Sequence, residues 1–115
     1  MARTRPQTLF VINTAVTVTH QARIVDFAPK NRVPLVASRS GWAEAGALMT
    51  YASSITDSCR RAAAYVDKIL KGGNTADLPI QQPTKCDLVI NLKTAKTLGL
   101  TIPQTLLLQA DKVIE

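Results

Sequence analysis

Residues 9–37 read LFVINTAVTVTHQARIVDFAPKNRVPLVA, and this stretch decides the fold class of the 115-residue chain. Two short apolar runs, residues 9–12 and 34–37, lie at its ends, and such runs are typical of strands buried on both faces of a parallel sheet. Between them, apolar residues recur at helical spacing and predict a helix over about residues 18–31, with Pro29 placed to kink or end it. Strand, helix and strand with short connections predict a βαβ unit.

The rest of the chain continues this alternation. Residues 47–51 and 88–90 predict two further strands. Residues 38–46, which precede the first of these two, predict a loop that could contain a helical turn. Residues 55–71 predict the clearest helix, capped by Ser54 or Thr56 and ended by Gly72-Gly73. Its apolar stripe consists of Cys59, Ala62, Ala63, Val66, Ile69 and Leu70. Asn91 is predicted to cap a short helix, and a last helix ends near Ala110. Four strands alternating with helices predict an α/β fold.

Charge is unevenly distributed along the chain. Lys and Arg outnumber Asp and Glu by 14 to 8, giving a net charge of +6. Residues 1–40 carry six of the basic residues and only one acidic residue, Asp26. A solvated basic surface or attraction to anions both explain such an excess. The basic residues are not clustered and aromatic residues are few, so we predict no nucleic-acid partner.

Residues that could carry chemistry are scarce. Cys59 and Cys86 form no CxxC pair, and both are predicted to be buried free thiols. His20 is the single histidine, and no second ligand is spaced to form a metal site with it. The chain lacks GxSxG, P-loop and GxGxxG motifs. We therefore predict a protein that is not an enzyme and uses neither cofactor nor metal.

Polar residues follow the predicted strands where each strand ends. In open α/β sheets, ligands bind at the carboxyl ends of the strands. Amide, hydroxyl, guanidinium and phenol groups suit a small polar or zwitterionic ligand, although Asn, Thr and Ser also cap helices and form turns. The candidate ligand-binding residues are Asn13, Thr14, Ser38, Arg39 and Tyr51.

Four segments carry a family resemblance. They are GALMTY at residues 46–51, RAAAYVDKILKG at 61–72, ADLPIQQPTK at 76–85 and LVINLKTAKTLGLTIP at 88–103. In order and spacing they resemble the C-terminal third of the ABC transporter substrate-binding proteins of the tryptophan/tyrosine-importer type. The resemblance covers residues 8–115.

The resemblance implies part of a type I periplasmic-binding-protein fold, in which two Rossmann-like lobes, each a parallel sheet flanked by helices, clamp a ligand. Residues 1–7 would be a loose N-terminus. Residues 8–46 and 84–115 would belong to the second lobe, and residues 47–83 would form a hinge crossing and a first-lobe helix. Asn13 and Ser38 or Arg39 match strand-end contacts to ligand in such proteins, and Tyr51 matches a position at the hinge.

The implied function is that of a non-catalytic solute-binding component, or fragment of one, in a bacterial ABC importer. Its partners would be a small-molecule solute, such as an amino acid, and an ABC permease, and its location the periplasm. Residues 1–8 are polar and the apolar run at 9–12 is too short for a signal-peptide core, so the chain as written is expected to be cytoplasmic. An exposed stripe on the helix at 55–71 would favour a homo-oligomer. A stand-alone interaction or sensor module, or a truncated remnant, are the alternatives.

Overall fold

A computed structural model describes residues 6–39 and 41–115 of the chain. Residues 1–5 of the predicted loose N-terminus lie outside the described residues. In chain order the elements are β1 (Leu9–Val11), α1 (Ala15–Thr19), α2 (Gln21–Lys30), β2 (Leu35–Ala37), α3 (Gly41–Ala45), β3 (Met49–Ser53), α4 (Ile55–Leu70), a 3₁₀ turn (Thr75–Asp77), β4 (Cys86–Asn91), α5 (Leu92–Leu98), α6 (Gln104–Gln109) and β5 (Lys112–Ile114).

The strands form one five-stranded sheet in the order β1-β2-β3-β4-β5. The pairs β1–β2, β2–β3 and β4–β5 are parallel, which confirms the predicted α/β class with a parallel sheet and flanking helices. The sequence predicted four strands, and β5 is the strand it missed. Lys112 of β5 lies opposite Val89, and all three residues of β5 are at least partly exposed. The strand therefore lacks the fully buried apolar run by which the other strands were predicted.

The core lies between the sheet and the helices α2 and α3. Its buried members include Val11, Val25, Ala28, Leu35, Ala37, Trp42 and Ala47. Trp42 belongs to α3, a one-turn helix in the segment that the sequence predicted as a loop that could contain a helical turn. A buried tryptophan at this position holds the connection between β2 and β3 against the sheet, because its burial removes a large apolar surface from water.

The predicted single helix over residues 18–31 is wrong, because the structure has two helices with His20 between them. α1 begins earlier than predicted because Thr14 and Thr17 form a capping box, in which each side chain accepts a hydrogen bond from the other residue's backbone N–H. His20 has φ −104° and ψ 20°, which departs from helical geometry and ends α1. α2 contains Pro29 and ends one residue after it.

Asn91, the last residue of β4, connects that strand to α5 and α3. Its Oδ1 accepts from the Thr94 backbone N–H at 3.0 Å and so caps α5, as predicted, while its Nδ2 donates to the Ala43 carbonyl at 2.9 Å. On the surface nearby, Lys112 of β5 bonds Glu44 of α3 at 2.9 Å. The hydrogen bond from Lys112 holds the pKa of the Glu44 carboxyl below its usual value, more than offsetting the opposing effect of partial burial.

Backbone contacts divide the chain into two compact units, residues 1–52 with 87–115 and residues 53–86. In the second unit, the connector after α4 is bonded back to that helix. Arg61 contacts the Asp57 carboxylate at 2.8 Å and donates to Thr84 Oγ1 at 3.0 Å, and the Tyr65 hydroxyl donates to the Pro79 carbonyl. Ser54 caps α4 through the Asp57 N–H, as predicted.

The apolar stripe of α4 is not covered within the described chain. α4 contains no buried residue, and Leu70 is 81% exposed. The prediction that Cys59 and Cys86 are buried is therefore wrong, because both thiols are exposed. Cys59 belongs to the uncovered stripe, and Cys86 begins β4 at its exposed end.

Gly46 provides a test of the α3–β3 connection. It has φ +122°, and a Cβ added there would lie 2.9 Å from Val25 Cγ1 in the core. We expect Gly46→Ala to lower the free energy of unfolding by about 1–3 kcal/mol, because alanine is strained at this φ and crowds Val25. Urea denaturation would measure it.

Gly41→Ala is the matched control, since a Cβ at Gly41 meets no atom within 4 Å and the residue lies in α3. We expect that change to be neutral or to stabilise by up to about 1 kcal/mol. Equal effects of the two substitutions would contradict the importance of the Gly46 backbone conformation.

Candidate functional site

The carboxyl ends of β1 and β2 bring two of the predicted site residues into contact. The Asn13 backbone N–H donates to Ser38 Oγ at 3.1 Å, and the Ser38 N–H donates to the Val11 carbonyl at 3.3 Å. Because β1 and β2 are parallel and in register, residues that follow each strand meet at the same edge of the sheet. Ser38 is thus bonded to the segment that follows β1.

The side chain of Asn13 has an unusual environment. Its Oδ1 is buried and has no hydrogen-bond partner among the described residues. Buried amide oxygens are nearly always bonded, because leaving one unsatisfied costs about 1–3 kcal/mol. An acceptor held in this state at the carboxyl end of a parallel sheet is suited to a donor that arrives with a ligand.

Thr14 and Arg39 differ from Asn13 and Ser38 in what they contact. The Thr14 hydroxyl lies 3.2 Å from the Thr17 N–H that it caps, so its visible role is to begin α1. Arg39 is exposed and lines a concavity with Val18, Gln21 and Trp42. The structure does not record a bond between either residue and Asn13 or Ser38.

Tyr51 lies on the face of the sheet opposite the core. Ala37 is opposite Thr50 in the β2–β3 register, so Tyr51 and Ser38 are the next residues along the two strands. Side chains alternate along a strand. Thr50 points into the core and is completely buried, whereas Tyr51 is 61% exposed on the other face. The ligand-binding roles of Asn13, Thr14, Ser38, Arg39 and Tyr51 stay predictions.

Thr50 is the polar residue of this region that the sequence did not single out. Its Oγ1 is buried without a hydrogen-bond partner among the described residues, as Asn13 Oδ1 is. In the sequence it lies within the apolar run at 47–51, where a threonine is an ordinary β-strand residue. No local signal could have distinguished it from its neighbours.

Comparison with known proteins identifies the family. The profile described as ABC transporter substrate binding protein matches residues 3–114. The chain belongs to this family. Members are substrate-binding proteins. Asn13 and Ser38 follow the carboxyl ends of two parallel strands, the position at which open α/β sheets bind ligands. No curated protein matches the chain.

Solved structures show the same fold. A conserved domain protein from Vibrio cholerae matches with a TM-score of 0.85 and 24% identity, covering 93% of this chain and 36% of the other. An ABC domain from Streptococcus pneumoniae in complex with L-Trp matches with 0.85 and 26%, covering 94% and 37%. A ligand-free, open substrate binding protein with adhesive properties from Clostridium difficile matches with 0.68 and 23%, covering 93% and 36%.

The chain therefore spans little more than a third of the length of the structures that it matches. Within residues 6–39 and 41–115, no helix is both long and apolar enough to cross a bilayer. The same residues contain no group of three or more His, Cys, Asp or Glu side chains arranged to hold a metal ion.

The energetic cost of the buried Thr50 hydroxyl can be tested by measuring the stability of Thr50 variants. We expect Thr50→Val to raise the free energy of unfolding by about 1–2 kcal/mol, because valine has nearly the same shape and removes a buried, unbonded hydroxyl. Thr50→Ala is the control and should destabilise, since it also leaves a small void. Destabilisation by Thr50→Val would show that the hydroxyl is bonded in the folded protein.

Proposed function

We propose that the chain is a non-catalytic solute-binding component of an ABC importer and that its ligand is a small molecule of the amino-acid class. The observation that carries the proposal is the buried, unsatisfied Oδ1 of Asn13 at the carboxyl end of β1, in a member of the substrate-binding family. A buried acceptor without a partner is stabilised when a ligand ammonium or hydroxyl donates to it. Family membership favours this function over a stand-alone interaction or sensor module.

The predicted site residues supply what a zwitterion needs. Asn13 offers an acceptor for an ammonium group. Ser38 Oγ already accepts the Asn13 N–H, so its own hydrogen can be donated to a carboxylate oxygen. Arg39 offers a guanidinium for the same carboxylate, and the ring of Tyr51 offers an apolar surface. The Streptococcus pneumoniae relative was solved with L-Trp, which makes aromatic amino acids the first ligands to test.

The wider setting follows from the family. We propose that residues 8–46 and 84–115 form part of one lobe of a two-lobed binding protein. Residues 47–83 would supply a hinge crossing and a helix of the other lobe. We further propose that the protein works in the periplasm and delivers its solute to an ABC permease. The chain divides at residues 52/53 and 86/87, which lie six and three residues after the boundaries proposed here.

We also propose that α4 mediates association of two copies. Its side chains Val66, Ile69 and Leu70 are 54%, 41% and 81% exposed on one stripe, an arrangement that water disfavours. Asp57–Arg61 and Asp67–Lys71 ion pairs lie on the helix beside the stripe. Two such stripes in contact would cover each other.

Ligand binding is tested by thermal unfolding with a panel of L-amino acids that includes L-tryptophan. A ligand at a hundred times its dissociation constant should stabilise the folded chain by about 2.7 kcal/mol. We expect Asn13→Leu to remove this stabilisation, because leucine has a similar volume and offers no acceptor to the ligand ammonium. Calorimetric titration would give the affinities.

Asn74→Leu is the matched control, since Asn74 is exposed, accepts the Ala76 N–H through its Oδ1 and belongs to the other compact unit. That variant should respond to ligand as the unsubstituted chain does. A cooperative unfolding transition that no member of the panel moves would contradict the proposed function for this chain.

Association through α4 is tested by sedimentation velocity. We expect the unsubstituted chain to sediment as a dimer at micromolar concentration and Val66→Glu/Ile69→Glu to sediment as a monomer, because buried carboxylates would have to lose their hydration. Lys68→Glu, on the polar side of α4, should leave the dimer intact. A monomer at all concentrations would contradict this proposal.

A further inference from the structure

Side-chain hydroxyls hold both of the peptide groups that flank Asn13. In the peptide that joins Ile12 to Asn13, the Ile12 carbonyl accepts from Thr17 Oγ1 at 2.9 Å. At the other end of the same peptide, the Asn13 N–H donates to Ser38 Oγ at 3.1 Å. The next peptide is held by its N–H, which Thr14 donates to Thr17 Oγ1 at 2.8 Å. Since φ and ψ are the two soft backbone dihedrals of a residue, fixing both peptides fixes the direction in which the Asn13 side chain leaves the backbone.

The Thr17 hydroxyl is the group that these two peptides share. A hydroxyl has one hydrogen and two lone pairs, so Thr17 Oγ1 can accept the Thr14 N–H while it donates to the Ile12 carbonyl. Two other acceptors lie farther from this oxygen, the Thr14 carbonyl at 3.1 Å and the Thr14 hydroxyl at 3.2 Å. The Ile12 carbonyl is thus the nearest acceptor for its single hydrogen.

The bond to Ile12 goes beyond what is needed to begin α1. A capping box requires only that the side chain at the third helical position accepts the N–H of the capping residue. Thr17 does this for Thr14 and then also bonds the residue on the far side of Asn13, outside the helix. The second bond adds nothing to α1, but it restrains the connection between β1 and α1.

Such a restraint matters for a side chain that recognises a ligand. Asn13 belongs to neither β1 nor α1, and it carries the buried Oδ1 that lacks a partner among the described residues. Backbone freedom in such a connection would have to be removed when a ligand binds, at a cost in affinity. Hydrogen bonds that already hold the connection in the free protein reduce this cost.

We propose that Thr17 is a positioning residue of the solute-binding site, whose hydroxyl holds the backbone on both sides of Asn13 and so keeps Asn13 Oδ1 in place for a donor of the ligand. Thr17 acts through Asn13 and not by contact with the solute. The inference rests on the proposed function and adds a residue to the same site.

Affinity tests the proposal with L-tryptophan as the probe, replaced by the amino acid of the panel that binds most tightly if L-tryptophan does not bind. We expect calorimetric titration of the full chain to show binding about tenfold weaker for Thr17→Val, equivalent to about 1.4 kcal/mol. Valine keeps the branched shape of threonine and removes the hydroxyl. Thr17→Ser keeps the hydroxyl and should retain most of the affinity.

Thr19→Val is the matched control. Thr19 lies on the same helix, and its Oγ1 donates to the Ala15 carbonyl at 2.9 Å, a bond within α1 that involves neither peptide of Asn13. This variant should bind the amino acid as the unsubstituted chain does. Circular dichroism and unfolding temperatures, measured without amino acid, show that all three variants are folded at the temperature of the titration.

Amide hydrogen exchange, followed by NMR without amino acid, reports on the backbone itself. In Thr17→Val the Asn13 N–H keeps its acceptor, Ser38 Oγ, so faster exchange at Asn13 would indicate a loosened peptide and not a lost partner. We expect faster exchange at Asn13 in Thr17→Val but not in Thr17→Ser or Thr19→Val. The Ser38 N–H, bonded to the Val11 carbonyl, should exchange at the same rate in all of them.

The outcomes separate this inference from the function on which it rests. If the unsubstituted chain binds an amino acid and Thr17→Val binds it equally well, the positioning role is overturned and the proposed function stands. Equal weakening by Thr17→Val and Thr19→Val, or unchanged exchange at Asn13 in Thr17→Val, would also overturn it. If the unsubstituted chain binds no member of the panel, the proposed function fails and the positioning role fails with it.

Discussion

The structure depends on the parallel pairing of β1 with β2 and of β2 with β3. Parallel strands are joined by crossovers, and the crossovers place helices on the sheet, so the register of three short strands determines where α2 and α3 lie. Leu9 opposite Leu35 and Val36 opposite Met49 set that register. From it follow the burial of Trp42 and Ala47, the close approach of Gly46 to Val25, and the meeting of Asn13 with Ser38.

The elements that the sequence predicted well are those with local signals. α4 has a helical apolar stripe, a serine cap and two glycines after its end, and its observed bounds differ from the prediction by one residue. Asn91 caps α5 as expected. The elements that it missed, or left open between a loop and a helical turn, depend on distant partners. β5 exists because β4 supplies its hydrogen bonds, and α3 is fixed by Trp42 entering a core that β2 and α2 build. Neither the partner strand of β5 nor the core around Trp42 can be recognised from a few neighbouring residues in the sequence.

The same distinction applies to the candidate site. Strand-end positions could be predicted from the alternation of strands and helices, and the Asn13–Ser38 contact follows from parallel register. The face of the sheet that Tyr51 occupies could not, because a one-residue change in pairing register reverses which side chains face the core. Thr50 is paired with Ala37 and is buried, so Tyr51, the next residue of β3, points to the other face. The prediction that Cys59 is buried was wrong because an apolar stripe indicates that a helix packs against another surface, but not that this surface lies within the described chain.

Among the described residues, two buried polar atoms lack a hydrogen-bond partner, Asn13 Oδ1 and Thr50 Oγ1, and they connect stability to function in opposite ways. Thr50 is wholly enclosed beside Ala37, so its hydroxyl has no route to a ligand and only lowers the stability of the sheet. Asn13 is only partly buried as a residue and lies where the backbone leaves the sheet, although its Oδ1 is itself buried. A destabilising group in the core persists because its cost is small beside that of the whole fold. A destabilising group at a strand end, in a family whose members bind substrates, is compensated when the ligand donates to it. The distinction therefore rests on position in the sheet, and for that reason we propose the site at Asn13 and Ser38 rather than at Thr50.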